Sequence, residues 1–235
     1  MRGGAVRGAA AALVLLAAPP AAAEGVAAAR FAAPTDRYDH AVLGDAIEWG
    51  ALEIVTETGR RLTLTLPRTR VFEDLAPRRA DIDGDGDDEV FVVETDLDRG
   101  ARLSVYDAAG LVAATPFIGR RHRWLAPVGA ADLDGDGTVE IAYVDRPHLA
   151  AILRVWRYRD GALHEVAASP GLTNHRLGQA VIQGGIARCA DGPAIVTADA
   201  AWRRVIVTTL RRGHLSPRDT GPYTGPDSLA PDQAC

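Results

Sequence analysis

The chain contains no lysine: all 26 of its basic residues are arginine, set against 31 acidic residues for a net charge of −5. The missing lysine reads as a coding bias, and the acidic balance excludes the basic footprint of a nucleic-acid-binding domain. Cysteine occurs only as Cys189 and Cys235, with no C-x-x-C pair, so neither a dithiol redox motif nor a cysteine zinc site is indicated. None of the serines, Ser104, Ser169, Ser216 and Ser228, sits in a G-x-S-x-G elbow. A phosphate-binding loop and a dinucleotide fingerprint are both absent. Past the first two dozen residues there is no amphipathic helix of useful length. No apolar run there approaches the roughly 20 residues needed to cross a bilayer.

What is present begins with the pattern of an export signal. Arg2 and Arg7 precede an apolar run from Ala9 to Ala18, and the small residues Ala21, Ala22 and Ala23 precede Glu24. Residues 1–23 are therefore expected to be a cleaved signal peptide, residues 24–36 a linker, and residues 37–235 one repeat domain. Cleavage would leave 24 basic against 31 acidic residues, a net charge of −7, and no transmembrane segment. The expected location is periplasmic or secreted. An oxidising compartment makes a Cys189–Cys235 disulfide the expected state of the two cysteines.

Four segments read strand, glycine-containing turn, strand, with turns at Gly59, Gly110, Gly161 and Gly213, spaced 51, 51 and 52 residues apart. Flanks such as Leu62-Thr63-Leu64-Thr65-Leu66 alternate apolar and polar residues, the period of a half-buried strand. A second landmark precedes each turn: Leu43-Gly44-Asp45-Ala46, Leu75-Ala76-Pro77, Leu125-Ala126-Pro127 and Leu177-Gly178-Gln179-Ala180. Its leucine lies 16, 35, 36 and 36 residues before the turn glycine, so the first repeat is short by a loop and a strand. A period near fifty with short strands predicts an all-β, β-propeller-like chain of about four blades, over residues 37–70, 71–120, 121–172 and 173–222, with a tail at 223–235. The tail is expected to pack near the first repeat or across its neighbour, with a Cys189–Cys235 bond pinning it to the fourth repeat, and so to close the ring.

The residues missing from the first repeat are chemically rich in the next two. One loop reads Asp81-Ile82-Asp83-Gly84-Asp85-Gly86-Asp87-Asp88-Glu89, the other Asp132-Leu133-Asp134-Gly135-Asp136-Gly137-Thr138-Val139-Glu140. Both carry acids at loop positions 1, 3, 5 and 9. Alternate short side chains let a tight turn aim several oxygens at one point, which suits calcium, a hard cation that takes six to eight oxygens. Position 7, Asp87 or Thr138, can add a backbone carbonyl. The predicted metal ligands are thus Asp81, Asp83, Asp85, Asp87 and Glu89, and Asp132, Asp134, Asp136, Thr138 and Glu140, holding two calcium ions. An EF-hand is excluded, because its position 12 needs a bidentate Glu between helices and is here Val92 or Tyr143 in an apolar run.

The D-x-D-G-D-G-x-x-E loop followed by a β-rich strand resembles the FG-GAP or VCBS repeat and is similar to the calcium-binding blades of integrin α-subunit propellers. The resemblance covers residues 71 to about 170 well and 173–222 weakly. It implies a β-propeller in which each loop wraps one calcium through Asp81, Asp83, Asp85 and Glu89, and through Asp132, Asp134, Asp136 and Glu140. The glutamate at position 9 departs from the aspartate common there. The fourth repeat's stretch from Gly184 to Gly192 carries one acid and one arginine and should bind no calcium.

Other constellations are weaker. His40, His122 and His175 recur at repeat starts, near Arg70, Arg120, Arg121, Arg123 and Arg176, with Trp124 and Phe72 nearby. They could form a basic, aromatic-edged patch for an anion, or be ordinary strand-end charge. They have no zinc-ligand spacing. Glu48 and Glu53 could pair for glycoside hydrolysis, and Trp202 could be a sugar platform or packing. The chain is therefore expected to be an exported calcium-binding module for an unknown protein or glycan. The alternative is a hydrolase acting on an extracellular polymer, which a central pocket with close carboxylates or a histidine–carboxylate pair would favour.

Overall fold

A computed structural model describes residue 1 and residues 24–235. The expected export signal lies, from residue 2 onward, outside the described residues. The architecture is all-β, in curled antiparallel sheets. The first sheet holds β1 (Val26–Thr35), β2 (Glu48–Thr56), β3 (Arg61–Thr65), β4 (Arg70–Phe72), β5 (Arg78–Ala80), β6 (Glu89–Asp96), β7 (Gly100–Tyr106) and β8 (Leu111–Ala114). Its order is β1-β2-β4-β6-β7-β8, with β3 paired to β2 and β5 to β6. The second is a meander of β9 (Leu125–Ala131), β10 (Glu140–Asp145), β11 (Ile152–Arg159) and β12 (Ala162–Pro170). The third joins β13 (Leu172–Thr173), β14 (Gly185–Cys189), β15 (Gly192–Asp199), β16 (Arg204–Arg211) and β17 (His214–Pro222). Two short 3₁₀ turns, Pro226–Leu229 and Pro231–Gln233, follow.

All four expected hairpins form, and Gly59, Gly110, Gly161 and Gly213 take φ of +86°, +134°, +78° and +76°. Glycine tolerates this left-handed region where a side chain would be strained. In β3 the alternation sends Leu62 and Leu64 against Phe31, Leu52 and Ile54. The middle strands β6 and β10 are buried along their whole length, as their unbroken apolar runs require.

Three expectations are corrected. Residues 24–36 are not a linker: Val26–Thr35 is β1, paired with β2 from Val26↔Thr56 to Thr35↔Glu48. Its alanines hide the alternation, but Val26 and Phe31 are buried, and Phe31 stacks on Phe72 at 5.5 Å. This strand supplies what the first repeat lacks. Second, the first two repeats do not form separate sheets. The short β4 pairs with β6 over Arg70–Phe72 and touches β2 at Trp49↔Phe72, joining them. Third, of the two places expected for the tail, it takes the sheet of the fourth repeat, where the disulfide pins it, and not the first repeat. Leu229 is fully buried among Ala187, Val196, Ala198 and Val205 of the third sheet, and Cys235 is bonded to Cys189 with Cα atoms 5.5 Å apart. An apolar anchor and a disulfide on β14 hold the tail where it leaves β17.

The first and fourth repeats meet elsewhere. The Gly178 amide donates to the Val42 carbonyl at 3.0 Å, and a Cβ on Gly44 would stand 2.8 Å from the Gly178 carbonyl oxygen. The two related L-G landmarks thus lie against each other. Each acidic loop leads into a buried strand, β6 or β10. The six residues of β10 separate its acidic loop from the turn at Arg146–Ala151, so the two lie at opposite ends of that strand, roughly 20 Å apart at about 3.3 Å per residue.

Candidate metal sites and a histidine-lined cavity

The two acidic loops fold alike. In the first, the Asp81 carboxylate accepts from the amides of Gly84 (2.8 Å) and Gly86 (3.2 Å), and Asp85 accepts from Asp87 (2.9 Å). In the second, Asp132 accepts from Gly135 (2.7 Å), Asp136 (3.0 Å) and Gly137 (2.9 Å), and Asp136 from Thr138 (2.9 Å). Backbone amides thus wrap the aspartate at position 1 and turn the alternate side chains inward. One oxygen each of Asp81, Asp83 and Asp85 lies within 4.8 Å of the others, and the same holds for Asp132, Asp134 and Asp136.

The remaining predicted ligands stand apart from these trios. Glu89 folds back so that its carboxylate accepts from the Ile82 amide at 2.8 Å, and Glu140 does the same with Leu133 at 2.8 Å. Both brace the start of the loop to its end. Asp87 and Thr138 contribute their amides to the turn.

The electrostatics of the loops differ. Burial raises the Asp83 carboxyl above its ordinary range, with Asp85 and Asp81 adding repulsion, and burial pushes Glu89 up to about 7. No Arg or His lies within 4.0 Å of Asp81, Asp83, Asp85, Asp87 or Glu89 among the described residues. The second loop carries its own cation. The Arg157 guanidinium of β11 reaches Asp134 at 3.2 Å, Asp136 at 2.8 Å and Glu140. Glu140 still stays above its usual range, because burial outweighs the guanidinium. Asp136 falls below its usual range, chiefly through the Thr138 amide. One oxygen of Asp134, Oδ1, is buried with no hydrogen-bond partner. An unpartnered carboxylate oxygen beside two others fits a cation ligand, and so does a chemistry of oxygen donors alone.

Residues 81–143 match the FG-GAP-like repeat family. The matched repeat runs from the first aspartate of one loop, through the second loop, to Tyr143 in β10. A comparison with curated proteins finds no match. Among solved structures, the rhamnogalacturonan lyase YesW is similar at a TM-score of 0.40 and 14% identity, over 77% of this chain and 44% of its own. That likeness is too distant to bear on fold or activity.

The histidines gather at the far end of β10. A cavity of about 290 Å³ is lined by His40, His122, Arg123, Trp124, Arg146 and His148, with Leu149 and Leu177 at its lip. The expected patch is otherwise dispersed. Phe72 is fully buried, Arg70 is committed to Glu94 and Asp96, Arg121 to Asp39, and Arg176 stacks on Trp202 at 4.4 Å. Trp202 also packs edge-on against Tyr223, as a structural aromatic would. Glu48 and Glu53 do not come together: Glu48 is buried, whereas Glu53 lies on the other face of β2 in an ion pair with Arg30. Two acids do meet histidines of the cavity: Glu73, whose Oε1 lies 2.5 Å from His40 Nδ1, and exposed Asp39, whose Oδ1 lies 2.9 Å from His122 Nε2. No pattern in the sequence marked Glu73 or His148, because their partners come from other repeats.

Proposed function

We propose that this chain is an exported repeat protein that binds two calcium ions and serves as a binding or structural module, its sheets arranged as propeller-like blades. The observation that carries the reading is the pair of loops 51 residues apart with one hydrogen-bonding pattern, each converging three aspartates. Without a cation the first loop leaves five carboxylates uncompensated. With one, charge repulsion becomes coordination. Asp81, Asp83 and Asp85, and Asp132, Asp134 and Asp136, would form the core of the two sites. Glu89 and Glu140 would act as braces or add an oxygen, and Asp87 and Thr138 would add carbonyls. Calcium held there would supply charge neutralisation and fix each loop ahead of a core strand.

Isothermal titration of the calcium-stripped full chain tests this. Two equivalents are expected, in the extracellular range of about 10⁻⁴–10⁻³ M or somewhat tighter. Asp83→Ala and Asp134→Ala should each abolish one of them. No uptake at millimolar calcium would refute the reading. A second reading, a hydrolase acting on an extracellular polymer, is favoured by one observation, the His40–Glu73 pair at the cavity. Turnover of a polysaccharide that is lost in Glu73→Gln would support it.

A further inference from the structure

The cavity between the repeats has features that packing alone does not require. Four loops build it: the segment after β1, the one before β9, the turn after β10 and the segment after β13. Two of its lining residues, His122 and Arg146, take φ of +55° and +47°. Non-glycine residues held there cost stability and cluster at functional sites. Leu149 and Leu177 are 66% and 67% exposed, giving the cavity an apolar lip.

The hydrogen-bond chains define what the walls can offer. His175 Nε2 lies 2.8 Å from the Gln179 carbonyl oxygen, which can only accept, so that nitrogen carries the proton. Its Nδ1 is then an acceptor, and His148 Nε2, 3.0 Å away, must donate to it. This leaves His148 Nδ1 as a bare acceptor on an exposed ring that lines the cavity. On the opposite wall His40 Nδ1 faces Glu73, which is wholly buried and also accepts from Thr95 Oγ1 at 2.6 Å. Burial keeps the Glu73 carboxyl protonated, up to about 8, and keeps His40 neutral, down to about 4. Glu73 therefore donates to Nδ1, and His40 Nε2 carries a hydrogen with no partner among the described residues. Arg123 adds a guanidinium that has no carboxylate within 4.0 Å among the described residues and bonds only the His122 carbonyl. Arg146, by contrast, is spent on Asp145 through two bonds.

We propose that this cavity is a binding site for a small hydroxycarboxylate of single-sugar size. The carboxylate would sit on Arg123 and the His40 Nε2–H, a hydroxyl would donate to His148 Nδ1, and the apolar face would lie against Trp124 and the leucine lip. The two donors select an anion, the bare acceptor selects a hydroxyl, and the volume lies at the lower end of the range for small-molecule pockets, about 300–1,000 Å³. The site lies at the opposite end of β10 from the acidic loop and does not depend on the calcium reading.

Isothermal titration of the full chain in calcium, with glucuronate, glucose and inorganic phosphate as probes, decides the matter. Glucuronate should saturate with a Kd in the millimolar range (~4 kcal/mol of binding) or tighter. Glucose, which lacks the carboxylate, and phosphate, which lacks the ring, should each bind at least about tenfold more weakly. Arg123→Gln should weaken glucuronate about tenfold or more. Leu177→Asp, an exposed change that folding tolerates, should do the same by placing a negative charge at the mouth. Arg218→Gln, on the exposed face of β17, should bind as the parent does. No saturable glucuronate signal, equal binding of glucose or phosphate, or unchanged binding in Leu177→Asp would each overturn the assignment.

Discussion

Arg157 should have opposite effects on stability and on metal affinity, and its replacement by glutamine separates them. In the calcium-free protein its guanidinium is the one cation among three carboxylates, of which Glu140 is fully buried and Asp134 nearly so, with 12% of its side chain exposed. Its bonds to Glu140 and Asp134 are charge-assisted, and such bonds contribute about 1.5–3 kcal/mol each when buried. The guanidinium is itself 24% exposed, and the bond to exposed Asp136 adds little, which discounts the total. Arg157→Gln should therefore lower stability by about 2–3 kcal/mol without calcium, or about 5–10 °C in Tm for a domain of this size. In calcium the sign reverses for binding. A fixed positive charge no longer opposes the ion, and removing that repulsion should tighten the second site about tenfold, ~1.4 kcal/mol. Much of the lost stability should then return as ligand linkage. Calorimetry with chelator and with millimolar calcium, paired with titration, reads both effects. An equal loss of Tm in both conditions, with no gain in affinity, would refute the argument and leave Arg157 a plain structural ion pair.

Other consequences follow from the buried groups and the tail. Burial holds Glu48 and Glu73 protonated to about 9 and about 8, from an ordinary 4.5, so the folded chain carries extra protons between about pH 4.5 and 9. Their contribution is full below that window and is lost as pH rises through it. Burial lowers His40 to about 4, from 6.5, so its contribution is full above pH 6.5 and is lost as pH falls toward 4. The two effects oppose each other between 4.5 and 6.5. From pH 7 to 9 stability should fall by on the order of 1 kcal/mol per pH unit per carboxyl, and Glu48→Gln should flatten the slope in urea melts. Reducing the Cys189–Cys235 bond, which spans 46 residues, should cost about 2–4 kcal/mol, measured as a drop in Tm that Cys235→Ser reproduces. Gly100→Ala should be severely destabilising by circular dichroism. Its Cβ would meet the carbonyl oxygens of Arg120 and Arg123 at 2.3 and 2.7 Å, at φ +75°, displacing the segment that carries Arg123.

Local chemistry made part of this protein legible from its sequence. The four turn glycines, the alternation in β3 and the two acidic loops are short-range patterns, each set by residues within a dozen positions of one another. Hairpins and Asp-rich loops depend on little else. The fifty-residue period located the repeats for the same reason. Where contrast between polar and apolar residues is low, the pattern vanishes: the alanine-rich β1 is marked as a strand only by its pairing with β2 and by Phe31 packed on Phe72. Everything that depends on one repeat meeting another was decided by tertiary structure alone. Only packing shows that β4 joins two repeats, that the tail anchors through Leu229, or that Arg157 enters the second acidic loop from a neighbouring strand. The cavity is the clearest case. His40, Glu73, Arg123 and His148 lie up to 108 residues apart, and no sequence spacing records that four loops converge on them. Side-chain proximity across repeats is set by sheet twist and packing, which sequence order does not encode.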